Sequence, residues 1–204
     1  MVSKQIRRSF GALALLAALV AQPVSADNHA AFSVPTGTYK LEPTHGYIVF
    51  SYSHLGFSKP HLRFDSFDVT LNANSEQPDA STLAVTVAAA SINSQVEEFD
   101  EHLNGEDYFD STKYPEISFS STKVTRSGDD TFEVVGDLTI KDVTKPVTLE
   151  ATINKAANHP MRGKPTIGVS ANGLIKRSEW GLGKYVPNVG DEVSMDIQVE
   201  LIQE

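Results

Sequence analysis

The chain has 204 residues, 17 basic against 26 acidic, a formal net charge of −9 and no cysteine. The acidic balance argues against nucleic acid and anionic lipid surfaces as partners, since both require basic patches. Without cysteine there is no disulfide, no thiol catalysis and no lipid anchor on a thiol.

In chain order, Lys4, Arg7 and Arg8 form a positive region, Phe10 to Ala21 is apolar, and Val24-Ser25-Ala26 supplies small residues suited to signal-peptidase cleavage. The apolar run is short of the roughly 20 residues that a membrane-spanning helix needs. Residues 1–26 therefore read as a secretion signal, and the expected location is the periplasm. Their removal leaves 14 basic against 26 acidic residues, net −12, on 178 residues. A chain of that length can build a core without disulfides. Residues 27–36 read as a flexible lead-in and 37–204 as one domain.

From Ile48 to Leu201 apolar residues recur at alternate positions. The rows are Ile48, Phe50, Tyr52; Leu83, Val85, Val87, Ala89; Phe132, Val134, Gly136, Leu138, Ile140; Val147, Leu149, Ala151, Ile153; and Val193, Met195, Ile197, Val199, Leu201. Strand side chains alternate between faces, so each row predicts a strand with one dry face. One helical interruption is predicted after Asn93. Ser94 and Glu97 have capping-box spacing, Val96, Phe99 and Leu103 fall at i, i+3 and i+7, and Gly105 ends the helix. Gly128-Asp129-Asp130 and Lys141-Asp142 mark hairpins, and His159 to Lys164 a longer loop. The result is an all-β domain with one short helix and about eight antiparallel strands, in a barrel or a sandwich.

The interior of an eight-stranded barrel is either just filled by side chains or holds one small ligand. The inward rows also carry Ala89, Ser121, Gly136, Ala151, Ala171 and Gly173. Small residues there mean close backbone approach or a cavity, and both readings stay open. On the cavity reading, Gly136→Leu is expected to block the interior and leave the fold intact.

Catalytic signals are few. No HExxH, nucleophile elbow, P-loop or dinucleotide fingerprint is present. His45 and His54 lie an odd number of residues apart, which on an uninterrupted strand points them to opposite faces. His102, beside Asp100 and Glu101, is the best candidate general base, and reads equally as a capping or packing device. Arg177, Glu179 and Trp180 place a charged pair beside an indole, which suits a polar head group or an ordinary ion pair with a packed ring. No nucleophile, base and oxyanion donors assemble, so the expectation is a protein that is not an enzyme, with no catalytic residue and no metal ligand set.

Four stretches carry a resemblance. They are His45 with Ile48-Val49-Phe50 and His54-Leu55-Gly56-Phe57-Ser58; Asp100-Glu101-His102-Leu103 with Asp107-Tyr108-Phe109-Asp110 and Tyr114-Pro115-Glu116-Ile117-Ser118-Phe119; Gly136 to Ile140 with Val143-Thr144-Lys145-Pro146-Val147; and Arg177-Ser178-Glu179-Trp180-Gly181 with Gly190-Asp191-Glu192-Val193. In this order and spacing the chain, from about Gly37 to Leu201, resembles the YceI-like family of exported polyisoprenoid-binding proteins. It departs from the family's usual residues at Glu42, Gly46, Leu62, Lys141, Asp142 and Trp180. The resemblance implies a lipocalin-like antiparallel barrel carrying a long isoprenoid or similar amphiphilic lipid, such as a polyprenyl quinone. No cofactor is required, and because family members are often dimers a homodimer is also implied. Ile48, Phe50, Tyr52, Phe64, Phe67, Val87, Phe119, Leu138 and Ile140 are the expected lipid-binding wall, with His54, Arg177 and Trp180 near the head group. The alternatives are a fatty-acid or fatty-amide binder, a His- or metal-dependent hydrolase using His102 or the His45/His54 pair, and a scaffold or stress-response protein with an incidental cavity.

Overall fold

The computed structural model describes residues 35–204, so the predicted signal at 1–26 and most of the lead-in lie outside the described residues. Its elements are β1 (Gly37–His54), β2 (His61–Phe64), β3 (Phe67–Ala73), β4 (Thr82–Ala88), β5 (Ile92–Asn93), α1 (Glu97–Asn104), β6 (Glu116–Arg126), β7 (Thr131–Ile140), β8 (Val143–Asn158), β9 (Pro165–Lys176) and β10 (Val189–Gln203). Eight of them close into an antiparallel barrel, β1-β3-β4-β6-β7-β8-β9-β10, with β10 returning to pair along β1. Closure decides between the two architectures the alternation left open, and it leaves no free edge among those eight strands. On β7 the row Phe132, Val134, Gly136, Leu138, Ile140 is buried, while Thr131, Glu133 and Asp137 are exposed.

β1 serves two sheet neighbours. Gly37–Lys40 pair with β3, whereas Ile48–Ser51 pair with β2, which in turn pairs with β5. The switch occurs at a bulge: Leu41 faces Leu201 and Gly46 faces Val199, so residues 42–45 stand against Glu200 alone. Such an insertion bends a strand and re-aims the side chains beyond it. The carboxylate of Glu42, only 3 % exposed, holds this bulge closed. It accepts from the Thr44 amide at 3.1 Å, the Thr44 hydroxyl at 2.6 Å and Arg162 Nη2 at 2.6 Å, and lies 2.8 Å from His45 Nδ1. The Thr44 hydroxyl, backed by His45 and Arg162, outweighs burial and holds the Glu42 carboxyl down at about 2.

The helix forms where expected, but its entry differs. Ser94 Oγ accepts from the Val96 amide at 3.2 Å, and the carboxylate of Asp100, not Glu97, takes the Ser94 amide at 2.7 Å. Val96 becomes the N-cap and is 55 % exposed, so the buried helix face consists of Leu103 with the half-buried Phe99. Gly105 ends the helix in extended backbone, its amide donating to the His102 carbonyl at 3.2 Å. The hairpin at Lys141-Asp142 places Lys141 at φ +57°, and the His159 to Lys164 loop closes through the His159 amide on the Lys164 carbonyl at 2.8 Å.

Candidate functional site: an apolar chamber in the barrel

The side chains of the inward rows do not fill the barrel. A chamber of about 310 Å³ occupies the end nearest α1, and a second of about 140 Å³ occupies the opposite end. Ile48, Val85, Leu149 and Ile197 border both, so the two chambers adjoin. Close packing normally buries inward apolar side chains completely. Here Ile48, Phe50, Tyr52, Val85, Met195 and Ile197 face the interior yet are only half-buried, because the space beside them is open.

Of the expected wall residues, Ile48, Phe50, Tyr52, Phe64, Val87, Phe119, Leu138 and Ile140 line the larger chamber. Phe50 and Phe64 lie tilted against each other at 5.5 Å between centroids, and Phe109 meets Phe64 edge-on at 5.7 Å. Phe67 is not on the chamber wall. Its ring packs beneath Gly46, where a Cβ would come within 3.0 Å of it, at the bend of β1. His54 and Arg177 border the chamber. Trp180 does not: it is 2 % exposed in the core beside the barrel, its Nε1 donating to the Leu138 carbonyl at 3.2 Å.

Arg177 is buried at the chamber rim and its guanidinium is committed to backbone. Nε donates to the Gly190 carbonyl at 2.8 Å, Nη2 to Val189 at 2.9 Å, and Nη1 to Lys184 at 3.1 Å and to Leu182. It therefore ties down the segment 182–190 that covers one side of the opening, using four of the five donors of an arginine. No Arg177–Glu179 ion pair forms among the described residues, and Glu179 is exposed. Near this charge lie the phenols of Tyr52 and Tyr108, both half-buried. Burial raises both above the ordinary tyrosine value, against the opposing pull of Arg177. Both phenols stay neutral at physiological pH, each a hydrogen-bond donor and acceptor at the rim.

Among the described residues the histidines are spread over separate parts of the barrel. His45 belongs to the Glu42 bulge, with Glu200 at 3.9 Å, while His54 ends β1 beside the chamber. His61 pairs across from Ser51 on β2. His102 stacks on Phe99 at 6.4 Å and meets Tyr108 edge-on at 5.1 Å, which makes it part of the chamber's roof. Among the described residues no group of three or more His, Cys, Asp or Glu is placed to hold a metal ion.

Roof residues Phe99, Leu103, Tyr108, Phe109, Leu182 and Tyr185 also line the chamber and were not among the expected wall positions. The first four sit in the one stretch where alternation stops, so their apolar spacing was legible but its destination was not. A salt bridge between Lys184 and Asp107 links the two roof segments across the opening. The glycines on the inward rows do not mark the chamber either. The Phe119 ring lies across Gly136, and Met195 and Leu149 lie across Gly173, so close approach is what those positions serve.

Fold and site define a closed antiparallel barrel with a roofed apolar interior large enough for a small ligand. Residues 39–201 match the YceI-like domain, and the chain belongs to the YceI-like family. It is similar to Protein YceI of Shigella flexneri, 35 % identical over 174 residues that cover 84 % of this chain and 90 % of that one. Among solved structures, Burkholderia cenocepacia BcnA superposes with a TM-score of 0.71 at 21 % identity, over 78 % of this chain and 98 % of that one. A polyisoprenoid binding domain from Saccharophagus degradans superposes at 0.61 with 11 % identity, over 83 % and 100 %. At these identities the two structures speak for the fold.

Proposed function

We propose that this chain is an exported carrier, not an enzyme, which holds the apolar tail of an isoprenoid or similar amphiphilic lipid inside its barrel. The observation that carries the reading is the 310 Å³ chamber, walled by apolar rows in which Ile48, Phe50, Tyr52, Val85, Met195 and Ile197 are left half-buried. Tyr52, His54, Tyr108 and Arg177 stand among the few polar residues around it, which suits an apolar tail inside and a polar head at one end. Burying a tail of about ten methylenes contributes roughly 8 kcal/mol, at ~0.8 kcal/mol each. That exceeds the lower bound of about 4 kcal/mol for immobilising a ligand. The S. degradans domain, described as polyisoprenoid binding, supports an isoprenoid over a linear acyl tail. The basic and apolar residues of 1–26 support export, with the periplasm as the working compartment.

The test is solvent extraction of gently purified protein followed by mass spectrometry, and then reloading of the delipidated protein. Recovery of one lipid per chain, or stoichiometric reloading with a polyprenyl quinone or alcohol, is the expected result. Protein that carries nothing and cannot be loaded with any isoprenoid or acyl lipid would sink the carrier reading.

A further inference from the structure

We infer that two loop tips beside the chamber's opening form a docking surface for the face of a zwitterionic phospholipid bilayer. This rests on the carrier reading and goes further by naming the surface with which the carrier exchanges its lipid.

The first tip is the turn after β1, where Leu55 is 50 % exposed and Phe57 90 %. The second lies in the segment 182–190, where Tyr185 is 57 % exposed and Val186 36 %. The tips are joined: His54 pairs with Val189, and the Leu55 amide donates to the Asn188 carbonyl at 3.1 Å. Both are built turns. The amides of His54 and Phe57 donate to the Ser58 and His54 carbonyls at 2.9 Å, and the Val189 amide to the Tyr185 carbonyl at 2.8 Å. Each turn sets a large side chain at positive φ, Leu55 at +53° and Tyr185 at +66°. Glycine or asparagine adopts that backbone with less strain. Apolar bulk kept there and turned to solvent is strain of the kind that collects at functional sites.

Three observations choose a bilayer as the occupant. Tyr185 lines the chamber as well as standing exposed, and Val189 lines the chamber behind it, so apolar surface continues from the interior onto the tips. A tail leaving a leaflet along that surface stays out of water. Residues 54–60 and 182–190 hold Lys59, and Lys184 with its partner Asp107, but no acidic residue of their own, on a chain of net −9. Lysine stems lie along apolar surface and carry the ammonium group to the level of lipid phosphates. Across the opening Glu97, Glu98, Glu101 and Glu106 are exposed, which repels an anionic surface and leaves a neutral one as the match. At roughly 200 Å² for an aromatic side chain, the four apolar residues together expose on the order of 400 Å². A second copy of the chain would need about 800 Å² per partner for a stable interface.

The experiment is flotation of the protein, as recovered after export, with phosphatidylcholine vesicles, for wild type, Leu55→Asn and Phe57→Ser. Wild type is expected to float, and each variant to bind about tenfold more weakly, the effect of taking away one large apolar side chain that leaves water. The melting temperature should hold for Phe57→Ser and hold or rise for Leu55→Asn, which suits the φ of the turn. Neither residue borders the chamber, so reloading with lipid delivered from solution should keep the wild-type stoichiometry. Two positions are used so that misfolding at one leaves the other to decide. Wild type that does not float, or two folded variants that float as well as it does, overturns the inference. So does a wild-type dimer that either variant turns into monomer in sedimentation, because the tips would then cover a second copy. In each of these cases the carrier reading stands if extraction recovers lipid. Protein that floats but neither carries nor takes up any lipid defeats the carrier reading instead.

Discussion

The glycine at 136 provides a direct test of how the barrel is packed. A Cβ placed there would lie 2.6 Å from the Ser120 carbonyl oxygen and 2.7 Å from Phe119 Cε2, with the tip of the same ring closer still. The ring can tilt, but the Ser120 carbonyl belongs to β6 and is fixed by the sheet. Overpacking of this kind costs about 1–3 kcal/mol, and the rigid backbone contact puts Gly136→Ala at the upper end. Replacing a strand glycine returns about 0.5–1 kcal/mol of chain entropy. The net expectation is a loss of about 2 kcal/mol, which for a domain of this size lowers the melting temperature by about 4–8 °C. Phe119→Leu in the same background removes the ring contacts but not the carbonyl, so it should restore only part of the loss. The assay is reversible thermal unfolding of the two single variants and the double variant. Gly136→Ala with an unchanged or raised melting temperature would refute the packing argument and return Gly136 to the open interior. Gly136→Leu, expected from the sequence to plug a folded barrel, should by the same contacts impair folding itself.

Arg177→Met strands the carbonyls of Leu182, Lys184, Val189 and Gly190, and should cost about 3 kcal/mol or more in urea unfolding, since single hydrogen bonds to charged groups contribute roughly 1.5–3. The Glu42 carboxyl sits at about 2 when folded, against 4.5 for the free group, so the unfolded state binds more protons between these values. Its contribution is therefore full above pH 4.5 and lost as pH falls towards 2; Glu42→Gln should be less stable at pH 6, with the gap to wild type narrowing by pH 3. Gly173→Ala meets only flexible tips, Met195 Cε at 2.6 Å and Leu149 Cδ2 at 2.7 Å. It should keep or slightly raise the melting temperature while weakening binding of a ten-carbon fatty acid about fourfold or more, as those tips enter the chamber; an unchanged Kd would count against that displacement.

What the sequence made legible is what depends on near neighbours along the chain. Alternation on β7 follows from residues two apart, and the Lys141-Asp142 turn from two residues. The return of β10 to β1 joins Tyr39 to Gln203, and no local pattern encodes that pairing. The β1 bulge was nevertheless written in the parity. Tyr39 and Leu41 are odd and Ile48, Phe50 and Tyr52 even, so the dry face changes parity across residues 42–45. The same flip separates Phe119 from Val124 on β6 and Ile153 from Ala156 on β8, each across a register shift. At Trp180 the local reading failed for a related reason. Beside Arg177 and Glu179 the indole resembles part of a polar cluster, yet the acceptor that defines it, the Leu138 carbonyl, is 42 residues upstream.

The small residues on the inward rows connect this packing to the chamber. Met195 stands directly across from Gly173 on the neighbouring strand, and Leu149 pairs with Gly173 from the other side. Phe119 on β6 lies diagonally across Gly136 on β7. In each case a large side chain lies over a glycine along the wall instead of pointing at the axis. A Cβ at those glycines would push the bulk inward, towards the space that the half-buried rows surround. Glycine in these strands is therefore not the floor of a cavity. It is a recess that takes up neighbouring side chains, and the open axis is what remains when they lie flat. Enlarging a glycine should then alter tail binding even where no atom of the new residue borders the chamber.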